Sequence, residues 1–156
     1  MSYLTDFVEN APNLFLIILG WYVVHFFTKQ RENEKSKREF LIDLSNELRS
    51  SVDKVHEFAR DYHLSSTRNR DLELKIIISL RDISEQLKLL KNLKNINLKI
   101  DDLYKAHNAF KYSITGKHFE DEYNFSLSET DSILADIVSY AFDLKRKLLE
   151  LKFLLF

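Results

Sequence analysis

Apolar residues form one unbroken run near the start of the chain and four separate stripes after it. The run, NLFLIILGWYVVHFF at Asn13 to Phe27, lies in a stretch without a formally charged residue between Asn10 and Thr28. At about 1.5 Å per helical residue that stretch covers roughly 28 Å, close to the roughly 30 Å hydrocarbon core of a bilayer. Its central part is apolar on every side, which leaves no polar face for a surface helix. The pattern therefore predicts a transmembrane helix at residues 13–28, of just adequate length.

Two alternatives exist for a run of this length, a signal peptide and a buried core helix. A signal peptide needs a basic leading region and small residues at its cleavage site, whereas Asp6 and Glu9 precede the run and Phe26 and Phe27 end it. A membrane anchor agrees better with the sequence. The residues predicted to contact lipid are Leu14, Phe15, Leu16, Ile17, Ile18, Leu19, Gly20, Trp21, Tyr22, Val23, Val24, Phe26 and Phe27.

Basic residues follow the run and none precedes it, which predicts the orientation of the anchor. The cluster at the lipid headgroups consists of Lys29, Arg31, Lys35, Lys37 and Arg38. Since loops rich in Lys and Arg stay on the cytoplasmic side, the N-terminus should face out of the cell. We therefore expect a short extracytoplasmic head at residues 1–12, a basic juxtamembrane helix at 29–40 and a cytosolic domain at 41–156. The predicted location is the inner (plasma) membrane.

The four stripes have the alternating spacing of three and four residues that indicates amphipathic helices. They predict an all-α fold, in which the transmembrane helix continues into a cytosolic antiparallel bundle of about four helices. The first stripe runs from Leu41 to Tyr62, and HLSSTRNR at 63–70 predicts a turn. The second helix, Asp71 to about Ile96, carries Ile76, Leu80, Ile83, Leu87 and Leu90, with Ile77, Leu89 and Leu93 widening its apolar arc.

Capping residues predict where the last two helices begin. The third helix is expected to start at Asp101 or Asp102 and to stop at Gly116, and Ser126 with Glu129 fits a capping box for the fourth. The aromatic residues of the loop before it are expected to pack on the end of the bundle. The fourth helix ends in the apolar tail Phe153, Leu154, Leu155 and Phe156. Its antiparallel return would bring this tail towards the membrane side, where it rests on the interface, packs in the bundle or forms a dimer seam.

Composition narrows the function classes more than it defines one. The chain of 156 residues has two glycines, one proline and 30% charged residues, which is typical of long helices. It has no cysteine, and its net charge of −1 gives no indication of a nucleic-acid partner. Phosphate-binding glycine loops and the common hydrolase motifs are missing, and no two histidines are spaced as metal ligands on one helix. We therefore predict no catalytic site, no metal site and no cofactor.

Two short segments resemble known proteins. LGWYVV at Leu19 to Val24, with the charged residues from Arg31 to Glu39, resembles short single-span bacterial membrane proteins of unknown function, some of which accompany anti-phage genes. Arg49 and His56, seven residues apart, resemble the pair of HEPN-type helical nucleases. That resemblance would imply phosphate binding by the Arg and proton transfer by the His. Ser50 stands where that family normally has Asn, Asp or His.

The leading hypothesis is a non-enzymatic, single-pass membrane protein whose bundle acts as a scaffold or adaptor. It would recruit a cytosolic partner and self-associate as a homo-oligomer, because stripes on amphipathic helices need a partner within the chain or outside it. One alternative is an effector of a bacterial defence system that perturbs the membrane. The other is a HEPN-like nuclease.

Overall fold

The fold is all-α over the part of the chain that the structure describes. A computed structural model describes residues 2–91, 97–116, 119–120, 127–128 and 130–153, and their side chains from residue 18 to residue 151 except 97–99. Four helices fall in these ranges: α1 Ser2–Leu64, α2 Arg70–Lys91, α3 Asn97–Thr115 and α4 Ser132–Phe153. This confirms the predicted class and the predicted helical bundle.

Helix α1 is longer than the sequence pattern predicted. It has 63 residues and includes the predicted anchor, the juxtamembrane segment and the first stripe. The predicted head also belongs to it, so Pro12 lies inside the helix rather than in its first turn. A proline removes only one helical hydrogen bond, and the turns on both sides of Pro12 are helical.

The chain divides into two compact units, residues 1–40 and 41–156. Among the side chains described, no helix combines the length and the apolar character needed to cross a membrane. Leu14, Phe15, Leu16 and Ile17 of the predicted anchor lie outside the described side chains.

The core of the second unit consists of the four predicted stripes. The buried residues are Leu41, Leu44, Leu48, Val52, Val55, Ala59 and Tyr62 of α1, Ile76, Leu80, Ile83, Leu87 and Leu90 of α2, Ile100, Leu103, Ala106, Phe110 and Ile114 of α3, and Leu134, Ile137, Ala141, Leu144, Leu148 and Leu151 of α4. The spacing of three and four residues keeps each stripe on one side of its helix. Burial of these stripes against one another is the main stabilising term of the bundle.

The apolar arc of α2 is narrower than predicted. Ile77 is 43% exposed and Leu89 is 55% exposed, so neither widens the buried face. Leu93 lies outside the described residues. On α4, Tyr140 is also exposed, at 41%. The reason is geometric, because each helix contacts its neighbours over a limited arc and residues beyond that arc meet solvent.

Contacts between helices show the antiparallel order. The start of α2 contacts the end of α1, because Tyr62 donates to Glu73. Near the end of α2, Gln86 donates to Glu47, which lies earlier in α1, so the two helices run in opposite directions. The Ser45 hydroxyl donates to the Leu148 carbonyl at 2.9 Å, whereas the last turns of α1 lie beside the first turns of α4. Helix α4 therefore runs back towards residue 41 within the second unit, as predicted. The side chain of Phe153, and residues 154–156 of the tail entirely, lie outside the described part.

The helix caps differ from the predicted ones at two places. Helix α3 begins at Asn97, so Asp101 and Asp102 lie within it and do not cap it. Helix α4 begins at Ser132, and its cap is Asp131, whose Oδ1 accepts a hydrogen bond from the Ile133 N–H at 2.9 Å. Ser126 and Glu129 of the predicted capping box lie outside the described residues. The predicted stop at Gly116 is confirmed, since α3 ends at Thr115.

Candidate functional site

A groove of about 580 Å³ opens between the end of α1 and the start of α4. Its polar side chains come from His56 and Arg60, together with residues around the cap of α4. Its apolar wall comes from α4. The lining residues are His56, Arg60, Thr130, Asp131, Leu134, Ala135, Ile137, Val138 and Ser139. We call this cavity the α1–α4 groove.

The α1 wall of the groove follows from helical spacing. Ser45 and Asp53 both contact α4, since Ser45 donates to the Leu148 carbonyl and Asp53 pairs with Lys145. Arg49 lies four residues from each of them, and residues four apart share a helix face. His56 and Arg60 continue the same flank one and two turns further. This side of α1 therefore presents Arg49, His56 and Arg60 along its contact with α4.

Arg49 is half-buried, and its Nε atom is buried without a hydrogen-bond partner among the described residues. A buried donor left without an acceptor costs free energy, about 1–3 kcal/mol for ordinary groups and more for charged ones. The Arg49 Nε is therefore a buried donor without an acceptor among the described residues. Asp53 is close by in sequence, but its carboxylate is paired with Lys145.

The α4 wall carries a second apolar stripe, separate from the core stripe of that helix. Ala135, Val138, Phe142 and Leu149 are spaced by three, four and seven residues, which places them on one face. Val138 is 51% exposed and Phe142 is 67% exposed. The predicted stripe of α4 does not include these residues. Its spacing was present in the sequence, but which of two stripes is buried depends on the neighbouring helices.

A polar cluster joins α1, α2 and the two loops at the other side of the same end of the bundle. The Tyr62 hydroxyl donates to Glu73 Oε1 at 2.9 Å and accepts the Glu120 N–H at 3.1 Å. Arg68 donates to both carboxylate oxygens of Glu73, at 2.7 Å and 3.1 Å. Such a two-point contact holds a buried carboxylate in place.

Hydrogen bonding and burial shift the pKa values of Glu73 and Tyr62 in this cluster. The hydrogen bonds from Arg68 lower the pKa of Glu73 and outweigh the effect of burial. Burial raises the pKa of the Tyr62 hydroxyl, so the phenol stays protonated and donates.

The loop residues next to this cluster have two notable features. Glu120 has a φ of 66°, an uncommon left-handed conformation for a non-glycine residue. Phe119 packs on Tyr62 with ring centroids 5.2 Å apart, which confirms the predicted role of the loop aromatics for this residue. Tyr123 and Phe125 lie outside the described residues.

Two histidines lie buried in the bundle and contact backbone carbonyls. His63 Nε2 is 3.2 Å from the Ile114 carbonyl, and His107 Nε2 is 3.3 Å from the Leu80 carbonyl. Burial lowers the pKa of His107, so its ring is neutral in the folded protein and Nε2 carries the donated proton. Both histidines tie neighbouring helices together.

Of the two residues of the HEPN-like pair, Arg49 and His56, only His56 lines the α1–α4 groove. His63, further along α1, is buried against α3 rather than directed to the groove. Among the described residues, no group of three His, Asp or Glu side chains is placed to hold a metal ion.

The described part of the predicted anchor has exposed side chains throughout. Ile18, Trp21, Tyr22, Val24, Phe26 and Phe27 are each more than half exposed, and Leu19 and Val23 are 47% and 43% exposed. The rings of Trp21 and His25 stack, with their centroids 5.3 Å apart. The basic residues Lys29, Arg31, Lys35, Lys37 and Arg38 are also exposed, and Lys35 pairs with Glu39.

Comparisons with known proteins give no further lead. No protein-family model, no curated protein and no solved structure matches this chain. The geometry and chemistry of the residues themselves therefore carry the functional argument.

Proposed function

We propose that this protein is a single-pass membrane-anchored adaptor, with an outward N-terminus and a cytosolic helical bundle that recruits a partner and self-associates. The observation that carries the proposal is the exposure of every large apolar side chain from Ile18 to Phe27. A helix that is apolar on all sides is stable where an apolar medium surrounds it. The uncharged stretch from Asn10 to Thr28 extends this surface to a length that suits a bilayer.

The basic residues after this stretch support the orientation. Lys29, Arg31 and Lys35 would meet the anionic headgroups of the inner leaflet, which attract Lys and Arg by about 1 kcal/mol each. The second unit supplies what an adaptor needs, a packed core and exposed apolar side chains such as Leu74, Ile78 and Phe142.

Membrane partition of the full chain tests the anchor. We expect the protein to stay with bacterial membranes after alkaline carbonate washing, and we expect Leu19→Lys, at the middle of the uncharged stretch, to release a large fraction of it. A lysine near the centre of a span costs about 2.5–3.5 kcal/mol. Leu89→Lys is the matched control, because Leu89 is a similarly exposed apolar residue in the second unit. Complete release of the unaltered protein by the wash would refute the anchor.

The absence of native cysteine makes the topology directly measurable. A membrane-impermeant maleimide should label Ser2→Cys in intact spheroplasts and Ser36→Cys only after lysis. The reverse labelling pattern would contradict the proposed orientation. Growth arrest with dye entry on expression would favour the membrane-perturbing effector over the adaptor.

A further inference from the structure

We propose that a second copy of this chain binds to the exposed side of α2, so that the α2 helices of two copies pair and run in the same direction. The proposal rests on the self-association in the proposed function above and assigns it to a surface. We call this surface the α2 face and define it by Leu74, Ile77 and Ile78, with Arg70, Asp71, Arg81 and Asp82 beside them.

The apolar centre of the α2 face is the main group of exposed aliphatic side chains in the bundle. Among the described side chains of residues 41–156, five large aliphatic ones are exposed, and four of these belong to α2: Leu74, Ile77, Ile78 and Leu89. The first three are three and four residues apart, so they adjoin on one side of the helix. They are 58%, 43% and 49% exposed, because the buried stripe of α2 lies on the other side. Packing of another surface on this group would remove it from water.

The charges beside this centre are segregated by sign. Arg70 and Arg81 are eleven residues apart, which is close to three helical turns, so they share one edge of the α2 face. Asp71 and Asp82 have the same separation, and each follows an arginine by one residue, which places both on the opposite edge. All four side chains are exposed. Leu74 lies between the two edges.

The other exposed charges of α2 near this face have partners within the chain. Glu85 pairs with Lys88 at 2.7 Å. The Lys75 ammonium lies over the Phe58 ring of α1, 5.8 Å from the ring centroid. The arginines and aspartates of the two edges therefore determine how the face attracts a partner.

This pattern favours a second copy in a parallel arrangement. When two identical helices pair in the same direction, each edge of one helix meets the opposite edge of the other. Arg70 then faces Asp71 of the second copy and Arg81 faces Asp82, and the two-fold symmetry makes each contact twice. An antiparallel pair would bring like edges together, basic against basic and acidic against acidic, which is unfavourable.

The proposed anchor agrees with the parallel direction. A parallel pair of α2 helices keeps the Leu41 ends of both bundles at the same end, as suits two chains anchored in one membrane. The α2 face has seven side chains, fewer than the roughly 20–30 residues on each side of a stable soluble dimer. Confinement to one membrane raises the effective concentration of the two copies, so a small contact suffices.

Single cysteines test the arrangement in membranes, because the chain has no cysteine of its own. The variants are Leu74→Cys and Glu85→Cys, which lie on one line along α2 roughly 16 Å apart. A parallel pair places each of these positions beside its own copy, so we expect both variants to form disulfide-linked dimers on mild oxidation. Tyr112→Cys on α3 and Phe142→Cys on α4 are the controls, since these positions are 70% and 67% exposed, and they should link several-fold less.

Charge exchange tests the contact between the edges. In the Leu74→Cys background, Asp82→Arg replaces opposite charges by like charges on both sides of the pair and should lower the linked dimer several-fold. The addition of Arg81→Asp exchanges the edges at that turn and should restore the dimer, which a misfolded variant would not do. Asp136→Arg, at an exposed position of α4, is the matched control and should leave the dimer unchanged.

Three results would overturn the proposal. Linkage at only one of positions 74 and 85 would indicate an antiparallel pair, and stronger linkage at Phe142 than at Leu74 would assign the pairing to α4. The third is a charge exchange that does not restore the dimer. Membrane partition is measured on the same variants, so absent linkage on α2 with retained anchoring would refute the α2 face alone.

Discussion

The Tyr62 hydroxyl donates to Glu73 across the contact between α1 and α2, and the two groups are almost fully buried. The same hydroxyl accepts the Glu120 N–H from the loop before α4. One oxygen atom thus links two helices and a loop. We expect Tyr62→Phe to lower the free energy of unfolding by about 1–3 kcal/mol, because it removes one of the two donors to Glu73 Oε1 and leaves the Glu120 N–H without its acceptor.

Urea unfolding of the full chain in detergent, followed by circular dichroism, measures this loss. Tyr112→Phe is the control, since Tyr112 is 70% exposed and loses nothing buried. Its unfolding free energy should stay within about 0.5 kcal/mol of the unaltered protein. Equal effects of the two substitutions would contradict the role assigned to Tyr62.

Glu73 should make stability depend on acid. Arg68 holds the folded pKa of Glu73 below its ordinary value of 4.5. A carboxylate with a depressed folded pKa contributes stability that is fully present above its unfolded pKa and is lost as the pH falls through the folded pKa. We therefore expect Glu73→Gln to be less stable than the unaltered protein at pH 7, with a difference that shrinks below about pH 4.5.

Glu85→Gln is the control for this pH dependence. Glu85 also pairs with a cation, Lys88, but both side chains are 57% exposed. Since solvent and salt screen exposed pairs, its substitution should have a much smaller effect that salt removes. An unchanged difference between Glu73→Gln and the unaltered protein from pH 7 to pH 3 would refute the assignment.

His107 should give a second pH dependence at higher pH. Burial lowers its folded pKa below the ordinary value of 6.5. The unfolded chain then binds the proton more tightly, so stability is highest above about pH 6.5 and falls as the pH falls towards the folded pKa. The slope for one group is at most about 1.4 kcal/mol per pH unit.

Unfolding free energies at pH 7.5 and pH 5.5 test this contribution. His107→Leu should lose less stability between these two values than the unaltered protein does. Leu89→Ala, at an exposed position of α2 that carries no titratable group, should keep the full loss. A loss that remains complete in His107→Leu would assign the pH dependence to another group.

Gly116 should tolerate no side chain. A Cβ atom there would lie 2.6 Å from the Tyr112 carbonyl oxygen, which also accepts the Gly116 N–H. Relief of this clash requires the end of α3 to move, so Gly116→Ala should cost about 1–3 kcal/mol in thermal or urea unfolding. Gly20→Ala is the control, because nothing lies within 4 Å of its added Cβ. An unchanged bundle stability in Gly116→Ala would show that the turn adapts freely.

The core was predictable because its signal is local. Leu48, Val52 and Phe110 belong to stripes whose spacing alone assigns them to one helix face. The burial of polar residues in the core is harder to predict from the sequence. Glu73 lies three residues before Ile76 and so continues the buried stripe of α2, which is a sequence sign of a buried charge that requires a partner.

The α1–α4 groove could not be predicted from local patterns. In the sequence, only its distance of seven residues from Arg49 distinguishes His56. In the structure, His56 lines the same groove as Val138, a residue far from it in the sequence. The sequence does not single out Asp131 as a cap, because Ser126 and Glu129 fit a capping box a few residues earlier. Such features depend on which helices become neighbours, and that depends on the whole chain.

The cluster around Glu73 has a consequence for how the bundle moves. It holds together the end of the bundle where α1 meets α2, whereas near residue 41 the described side chains contribute apolar contacts and two single hydrogen bonds, Ser45–Leu148 and Gln86–Glu47. Local opening starts where such ties are fewest. We expect amide hydrogens near Leu41 and Leu151 to exchange before those near Tyr62, so that the bundle opens from the end that holds Leu41 and Leu151.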